Sequence, residues 1–454
     1  MDTSDDDDSA MNSPPSPQPR VTRLVFLPPS LTPAGEMWPR EEHFVIGRRA
    51  LPLMPTVTQV HVLTRFIDCS PYMWGYMLRR YDPLHWLPLT MGECVGEVLV
   101  NVPATDMLPA LTAGTLVIGR WGWAAEVVVE RSSIQPLARY HHGRPAASLG
   151  VLGMPGRTAY FGLLRLCRPT KGDTLFVSSG ASTVGAIVAQ IAKHHCGCIR
   201  VVGCAGTAEK LNYMRSIGFD DCFNYKEEDA GAALDRCAPS GIDVIFDNTG
   251  GRVAEAAALR LRPGARVAIC GNIANTADGR GPKAMRRRLR NAQRRALWRH
   301  RWAPWRAMDE MRLLRLVHCE WPHALSVSRN LQPAPHTFDT GRGHASITWE
   351  AFMCGRFDSA EGKAVAETQL AEWMDSGMLT SRAEVRRGGL SDVPRAFVDL
   401  IGGRTRGKVV VELVGRWASG RGAAADVAAE DRPVPAIALP PPEALVMHGL
   451  LANK

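Results

Sequence analysis

No apolar run in the sequence reaches the roughly 18 residues that a membrane-spanning helix needs, although 45% of the 454 residues are hydrophobic. The chain begins with the acidic stretch MDTSDDDDSA, unlike a secretory signal or an Arg-rich transit peptide, and it ends in LANK, which is not a peroxisomal address. These absences predict a cytoplasmic protein. The length leaves room for two domains with a sizeable core.

A cluster of closely spaced cysteines is also missing. The 11 cysteines are spread along a long chain, unlike the framework of a small disulfide-rich domain. Cys196 and Cys198 stand one residue apart with no second pair, so their spacing favours core or strand-edge residues over a metal site. Most of the others, such as Cys204 and Cys270, lie in apolar strand-like runs, and we expect them to be reduced core residues.

Acidic residues are absent from one segment. Residues 280–306 contain 10 arginines and Lys283 but no Asp or Glu, and this charge of +11 exceeds the net charge of +9 of the whole chain. The basicity therefore belongs to one insert. Within it, four residues at helical spacing predict a short basic amphipathic helix: Met285, Leu289, Ala292 and Ala296.

The stretch 171–210 contains the pattern strand, tight turn, helix and strand. Residues 173–179 and 199–203 are short apolar runs rich in β-forming residues. Between them, four apolar residues recur at helical spacing: Val184, Ile187, Val188 and Ile191. Because a helix joins the two strands, they should lie parallel, as in the first βαβ unit of a dinucleotide-binding sheet.

The turn in this unit lacks the usual G-x-G-x-x-G pattern. It has small residues instead, and they allow the backbone to pass close to a ligand: Gly180, Ala181, Ser182, Thr183 and Gly185. The helix that follows offers free N–H groups and a partial positive charge to a pyrophosphate. Close packing alone would also explain small residues here, so the turn by itself leaves both interpretations open.

The end of the second strand lacks an acidic residue. An NAD site usually has Asp or Glu there for the ribose 2′-hydroxyl, whereas this chain continues as Cys204-Ala205-Gly206-Thr207 and then Lys210. A lysine without a carboxylate favours a 2′-phosphate, so we predict NADPH as the cofactor. Glu209 is the one nearby acid, and as a helix residue we expect it to point elsewhere.

The remaining pattern predicts an α/β protein with a doubly wound parallel sheet and a second, β-rich domain. Short β-like runs dominate residues 21–145 and suggest a small distorted β-barrel. Strands and helices alternate through residues 146–380, interrupted by the insert 279–347, and residues 381–415 return to the first domain. Residues 1–20 and 416–454 are predicted to be disordered tails. Loops beginning at Asn248 and Gly271 end two strands and should line the nicotinamide site.

Several motifs resemble one known family: MGECVGEVL, LGVLGMPGRTAYFGLL, NYK, DVIFDNTGG, CGNI, TWEAFM and GRTRGKVVVEL. They are similar to the medium-chain dehydrogenase/reductase superfamily and, within it, to the zinc-free prostaglandin reductase and NADP-dependent alkenal double-bond reductase branch. The match runs from about residue 21 to residue 414, except for the insert. The resemblance implies a GroES-like catalytic domain split around a Rossmann domain. It also implies NADPH-dependent reduction of the carbon–carbon double bond of α,β-unsaturated ketones or aldehydes.

The resemblance also implies site residues. Lys210 corresponds to a 2′-phosphate lysine, Tyr225 to a ribose or phosphate tyrosine, and Tyr72 to a substrate-pocket tyrosine. The expected catalytic residues are Tyr72 and Thr276. The expected cofactor-binding residues are Ser182, Thr183, Val184, Gly185, Gly206, Lys210, Tyr225, Asn248, Gly271 and Thr405. Zinc-dependent members have Gly-His-Glu where this chain has Gly92-Glu93, so we predict no metal.

The chain departs from the family pattern at five positions: Ser179, Ser182, Trp74, Thr405 and Thr276. Thr276 stands where the family has a tyrosine thought to meet the substrate oxygen, and threonine is much shorter. The proton donor to the enolate is therefore open between Thr276, Tyr72, a ribose hydroxyl and water.

Two alternatives to an enone reductase remain. A quinone reductase would use the same fold and hydride. The other is an NADPH-binding protein with weakened catalysis whose basic insert binds RNA or an anionic membrane. A solvated surface loop is the simpler interpretation of the insert. We also expect a homodimer.

Overall fold

The computed structural model describes residues 21–28, 38–51, 56–80, 87–138, 143–271, 273–274, 336–339, 346–357 and 359–414. The predicted tails, the amphipathic stripe of the insert and Thr276 lie outside these residues. Within the described ranges, no helix combines the length and apolarity that crossing a bilayer requires.

The amino-terminal region is mainly antiparallel sheet. Its strands are β1 (Val21–Leu27), β2 (Val45–Ala50), β3 (Gln59–Cys69), β4 (Leu87–Pro88), β5 (Glu93–Val98), β6 (Leu116–Arg120), β7 (Glu126–Glu130) and β8 (Ile134–Pro136). β1 pairs with β2 and β4, whereas β3 pairs with both β5 and β7, and β6 joins β5 to β8. Helix α1 (Tyr72–Arg80) follows directly after β3.

A second sheet follows in the chain. Its strands are β9 (Thr174–Val177), β10 (Arg200–Ala205), β11 (Asp221–Asn224), β12 (Ile242–Asp247), β13 (Leu261–Ile269), β14 (His336–Asp339) and β15 (Ser346–Ala351). They are arranged in the order β11-β10-β9-β12-β13-β15-β14, and the pairs are parallel except β14 with β15. Without β14 this is the Rossmann order, which reverses direction between β9 and β12. The predicted fold class is confirmed.

Helices cover both faces of this sheet. They are α2 (Met154–Phe161), α3 (Thr183–Gln190), α4 (Ala208–Ser216), α5 (Ala230–Cys237), α6 (Gly251–Ala258) and α7 (Ala360–Asp375). π-helical turns extend α2 over Gly162–Cys167 and α3 over Ile191–His195. One apolar core contains residues of α2, α3 and α7, and another contains residues of α5 and α6. Because both faces are covered, all four residues of β9 are buried.

The chain then returns to the first region. β16 (Ala383–Gly388), α8 (Asp392–Ile401) and β17 (Lys408–Leu413) follow α7. β17 pairs with β3 and β16, which completes the order β16-β17-β3-β5-β6-β8. Short 3-10 turns lie at Glu41–His43, Arg131–Ser133, Pro145–Leu149 and Cys354–Phe357. The described cysteines are all free thiols, and most are buried.

The structure differs from the sequence-based elements in two ways. Helices α1 and α5 were not predicted, although both are amphipathic. The predicted insert 279–347 also contains β14 and the first residues of β15. Those four residues of β14 form a strand by pairing with β15, a tertiary contact that a four-residue sequence window does not reveal.

Candidate functional site

The carboxyl ends of β9 and β12 are joined by a buried hydrogen-bond cluster. Asp247 ends β12, is fully buried, and accepts from the Ser178 hydroxyl at 2.7 Å and from the N–H groups of Thr249 and Gly250 at 3.1 and 3.0 Å. Burial raises the pKa of Asp247, against the opposing effect of these donors. Asn248 donates from its Nδ2 to the Ser178 carbonyl at 2.8 Å. Its Oδ1 is thereby oriented as the group that can accept from a ligand hydroxyl.

The turn after β9 leads into the N-terminus of α3. The Ser182 hydroxyl accepts from the Gly185 N–H at 3.1 Å and so caps the helix. The first N–H groups of a helix have no acceptor within the helix, so those of Thr183 and Val184 remain for an anion. A Cβ on Gly185 would lie 2.5 Å from the Ser179 carbonyl oxygen. The predicted turn residues are therefore together, and Gly185 is required by close packing.

The end of β10 carries the residues expected to bind the adenosine ribose. Thr207 caps α4 by accepting from the Lys210 N–H at 3.3 Å. Gly206 follows β10 directly, where an NAD-binding sheet would have its acid. The side chain of Glu209 forms an ion pair with Arg406, so its carboxylate already has a cationic partner.

Tyr225 and Lys226 lie across from Gly206. A Cβ on Gly206 would lie 2.9 Å from Lys226 Cε and 3.0 Å from Tyr225 Oη. The pKa of Lys210 is lowered by partial burial and then by the charge of Lys226. Sequence reasoning identified Lys210 and Tyr225 but missed Lys226. The motif NYK contained this lysine, but the sequence does not show that the ends of β10 and β11 bring it to Gly206.

A loop of the first domain contacts the same corner of the Rossmann sheet. Lys210 Nζ donates to the Gly403 carbonyl oxygen at 2.7 Å, and Arg406 pairs with Glu209. Thr405 lies between these two contacts in the chain and is buried. This loop therefore connects the two domains beside the predicted ribose site.

The ends of β12 and β13 also meet. The Gly271 N–H donates to the Asp247 carbonyl oxygen at 3.2 Å, and the Ala274 N–H donates to the Thr249 carbonyl oxygen at 2.9 Å. Asn248 and Gly271 are thus neighbours at the carboxyl edge of the sheet, next to the reversal of strand order. This edge is where open parallel sheets bind ligands.

Tyr72 lies at the start of α1, in the other domain, with 42% of its surface exposed. Partial burial, followed by the charges of Asp68 and Glu93, raises the pKa of Tyr72 above its usual range. The hydroxyl can donate a hydrogen bond, but the raised pKa makes it a weaker acid than an ordinary tyrosine. Glu93 itself pairs with Arg120 at 3.4 Å. Thr276, the other predicted catalytic residue, lies outside the described residues.

A buried ion pair that sequence reasoning missed lies just before Tyr72. Lys408, 3% exposed, pairs with Asp68 and donates to the Ser70 hydroxyl at 2.8 Å. Ser70 in turn donates to Asp68 Oδ1 at 2.9 Å. The antiparallel pairing of β3 with β17 brings these residues together. In the part of the chain that the structure describes, no group of three His, Cys, Asp or Glu side chains could hold a metal ion.

This arrangement fits a dinucleotide with a phosphate on its adenosine ribose. Free N–H groups begin α3, Lys226 lies beside Gly206 and its charge acts on Lys210, and the strand-end carboxylate that would repel a phosphate is replaced by glycine.

Comparisons with known proteins agree with the fold. A family model described as zinc-binding dehydrogenase matches residues 183–310. Prostaglandin reductase 1 of Oryctolagus cuniculus is 44% identical over 46% of this chain and 57% of its own length. The NADP(+)-dependent 2-alkenal reductase of Nicotiana tabacum is 38% identical over 47% of this chain and 62% of its own length. The chain thus spans about three fifths of the length of these two relatives.

Two further matches cover a larger share of the matched protein's length. Prostaglandin reductase 1 of Sus scrofa is 39% identical over 55% of this chain and 75% of its own length. The crystal structure of CurA from Vibrio vulnificus in complex with NADPH is similar with a TM-score of 0.64 and 25% identity, covering 87% of this chain and 99% of that one. With this coverage and the Rossmann order of the sheet, the chain belongs to the medium-chain dehydrogenase/reductase superfamily, in the branch of the prostaglandin reductases and NADP-dependent alkenal reductases.

Proposed function

We propose that the protein is an NADPH-dependent reductase of the carbon–carbon double bond of α,β-unsaturated ketones or aldehydes. The observation that carries the proposal is the end of β10, where Gly206 replaces an acid and Lys210 and Tyr225 stand beside it. A relative of the same branch is named a 2-alkenal reductase that depends on NADP(+). The end of β10 and the name of the relative both indicate NADPH as the cofactor. The name of the relative also indicates the reaction.

Each predicted cofactor residue has a role in this proposal. The N–H groups of Thr183 and Val184, in the turn formed by Ser182 and Gly185, would bind the pyrophosphate. Lys210 and Tyr225 would bind the 2′-phosphate, with Gly206 leaving space for it. Asn248 and Gly271 would lie toward the nicotinamide ribose, and Thr405 would help to hold the cofactor from the loop beside Lys210. When bound, NADPH supplies a hydride.

The protein then has two tasks toward the substrate. The β-carbon of an enone is already electrophilic, so a Lewis acid is not required, and the site must align that carbon and stabilise the enolate oxygen. Tyr72 is the described residue suited to the second task, because the resemblance assigns it to the substrate pocket and its hydroxyl can donate a hydrogen bond to the enolate oxygen. Thr276 remains a second candidate for donating the proton.

A turnover assay tests the proposal. Purified protein with NADPH should reduce a simple enone or alkenal, and dialysis against a strong chelator should leave the rate unchanged because no metal takes part. The carbon–carbon double bond, rather than the carbonyl, should be reduced in the product. A higher kcat/KM for a quinone would identify the protein as a quinone reductase instead. Tight NADPH binding without turnover of either substrate would favour the non-enzymatic alternative.

We further propose that the protein works in the cytoplasm as a homodimer. Free, mostly buried thiols among the described cysteines support a reducing compartment. Sedimentation of the purified protein would test the dimer, and a single species of monomer mass would contradict it.

A further inference from the structure

One cation beside Gly206 has no role in the proposed function. Lys226 follows Tyr225 at the end of β11, and its Cε lies 2.9 Å from the place where a Cβ on Gly206 would be. β11 and β10 are parallel and Ala205 pairs with Asn224. The two strand ends therefore place the Lys226 stem over the residue that replaces the acid of an NAD site.

Two acids around this corner are already engaged. Glu209 pairs with Arg406, and Glu228 pairs with Arg236 at 2.7 Å. Within the described ranges, the Lys226 ammonium has no ion-pair partner, although its backbone N–H donates to Asn224 Oδ1 at 3.1 Å. The Lys226 ammonium is therefore available to an anionic ligand.

Lys210 is held differently. Its Nζ donates to the Gly403 carbonyl oxygen at 2.7 Å, which fixes the direction of the side chain and leaves two of its three N–H bonds for a ligand. The repulsion between the two lysines helps to lower the pKa of Lys210. A dianion bound between them would relieve this repulsion.

Resting on the proposed use of NADPH, we propose that Lys226 is a second ligand of the 2′-phosphate and, with Lys210, determines the preference for NADPH over NADH. Lys210, fixed by the loop of the first domain, would orient the phosphate. The Lys226 side chain would contact the 2′-phosphate from the side of β11. A side chain at position 206 would crowd the Lys226 stem and the Tyr225 hydroxyl.

The test uses two small probes that need no substrate. Adenosine 2′,5′-bisphosphate carries the 2′-phosphate, and 5′-AMP lacks it. Their dissociation constants are measured calorimetrically for the full chain and for Lys226→Met, Lys226→Arg and Lys210→Met. Lys171→Met is the matched control, because Lys171 is exposed just before β9, at the opposite end of the strands. Circular dichroism confirms that each variant is folded.

We expect Lys226→Met to weaken binding of the bisphosphate about tenfold, as for the loss of one charge-assisted hydrogen bond, and to leave 5′-AMP binding unchanged. The slope of log Kd against log salt should decrease, and Lys226→Arg should restore both. Unchanged bisphosphate binding and salt slope in Lys226→Met would overturn the role of Lys226 and leave the proposed function intact. If the unmodified protein binds the two probes equally, the NADPH preference fails, and this inference fails with it.

Discussion

Lys408 and Lys210 occupy contrasting environments in the same molecule. Lys408 is 3% exposed in the first domain, and its charge is matched by Asp68 with help from Ser70. Lys210 is half-buried at the edge of the Rossmann sheet, and its nearest partner is the neutral carbonyl of Gly403. A second cation, Lys226, lies close by.

The comparison distinguishes a charge that stabilises the fold from a charge that can bind a ligand. A buried cation is tolerated when a carboxylate and hydrogen bonds satisfy it, and it then ties strands together, as Lys408 does for β17 and β3. A cation beside another cation, with only a carbonyl as partner, leaves a positive potential that an anionic ligand can use. Lys408 should therefore matter for stability and Lys210 for the cofactor.

The largest effect should come from breaking the matched pair. Lys408→Met leaves the Asp68 carboxylate buried without its partner, and the free energy of unfolding should fall by about 3–5 kcal/mol. The double variant Lys408→Met, Asp68→Leu should recover much of this loss, because both charges are then gone. Urea denaturation measures both. A loss below about 1 kcal/mol in the single variant would mean that the pair is not buried as described.

At Lys210, removing the charge should weaken cofactor binding more than it lowers stability. Lys210→Met keeps most of the stem but removes the charge, so NADPH binding should weaken by about 1.5–3 kcal/mol, the range for hydrogen bonds to charged groups. NADH binding should hardly change, because NADH has no 2′-phosphate. Fluorescence titration with both cofactors measures this difference. An equal loss for both would show that Lys210 acts only through its contact with Gly403.

A smaller effect should appear in the pH dependence of the ratio of NADPH to NADH affinity. The ratio should rise as pH increases through about 6, where a phosphate monoester gains its second charge. It should fall again in the alkaline range as Lys210 loses its proton. Because the pKa of Lys210 is lowered from 10.5, this fall begins below the pH expected for an ordinary lysine. In Lys226→Met, the alkaline fall of the affinity ratio should begin at a higher pH. If it begins at the same pH as in the unmodified protein, the charge of Lys226 does not act on Lys210.

The smallest effect on the fold should come from the basic insert, whose sequence contains no Asp or Glu between residues 280 and 306. Deleting residues 283–306 removes a strongly basic stretch that the sequence predicts to be a surface loop, so the thermal midpoint and NADPH affinity should change little. The intact protein should bind RNA or acidic vesicles weakly, with affinity falling steeply as salt rises, and the deletion should abolish this. A large drop in the midpoint would instead place the stripe of Met285, Leu289, Ala292 and Ala296 in the core.

Local sequence predicted much of the Rossmann sheet. Its strands are short apolar runs, and the helix between β9 and β10 repeats its apolar residues at helical spacing, so both signals lie within a few residues. The missing acid after β10 likewise predicted a cofactor site at Gly206 and Lys210. β14 could not be predicted in this way, because it is defined by pairing with β15.

By itself, the sequence determined which residue types stand at each strand end, and so the dinucleotide-binding architecture and the preference for a phosphate over a hydroxyl. Only the tertiary structure decided which side chains meet. Asp68 and Lys408 are 340 residues apart in the chain, Lys210 and Gly403 are 193 apart, and Lys226 reaches Gly206 through the pairing of β10 with β11. Local propensity acts over a turn or a strand, whereas matched and unmatched charges depend on the distances that folding creates.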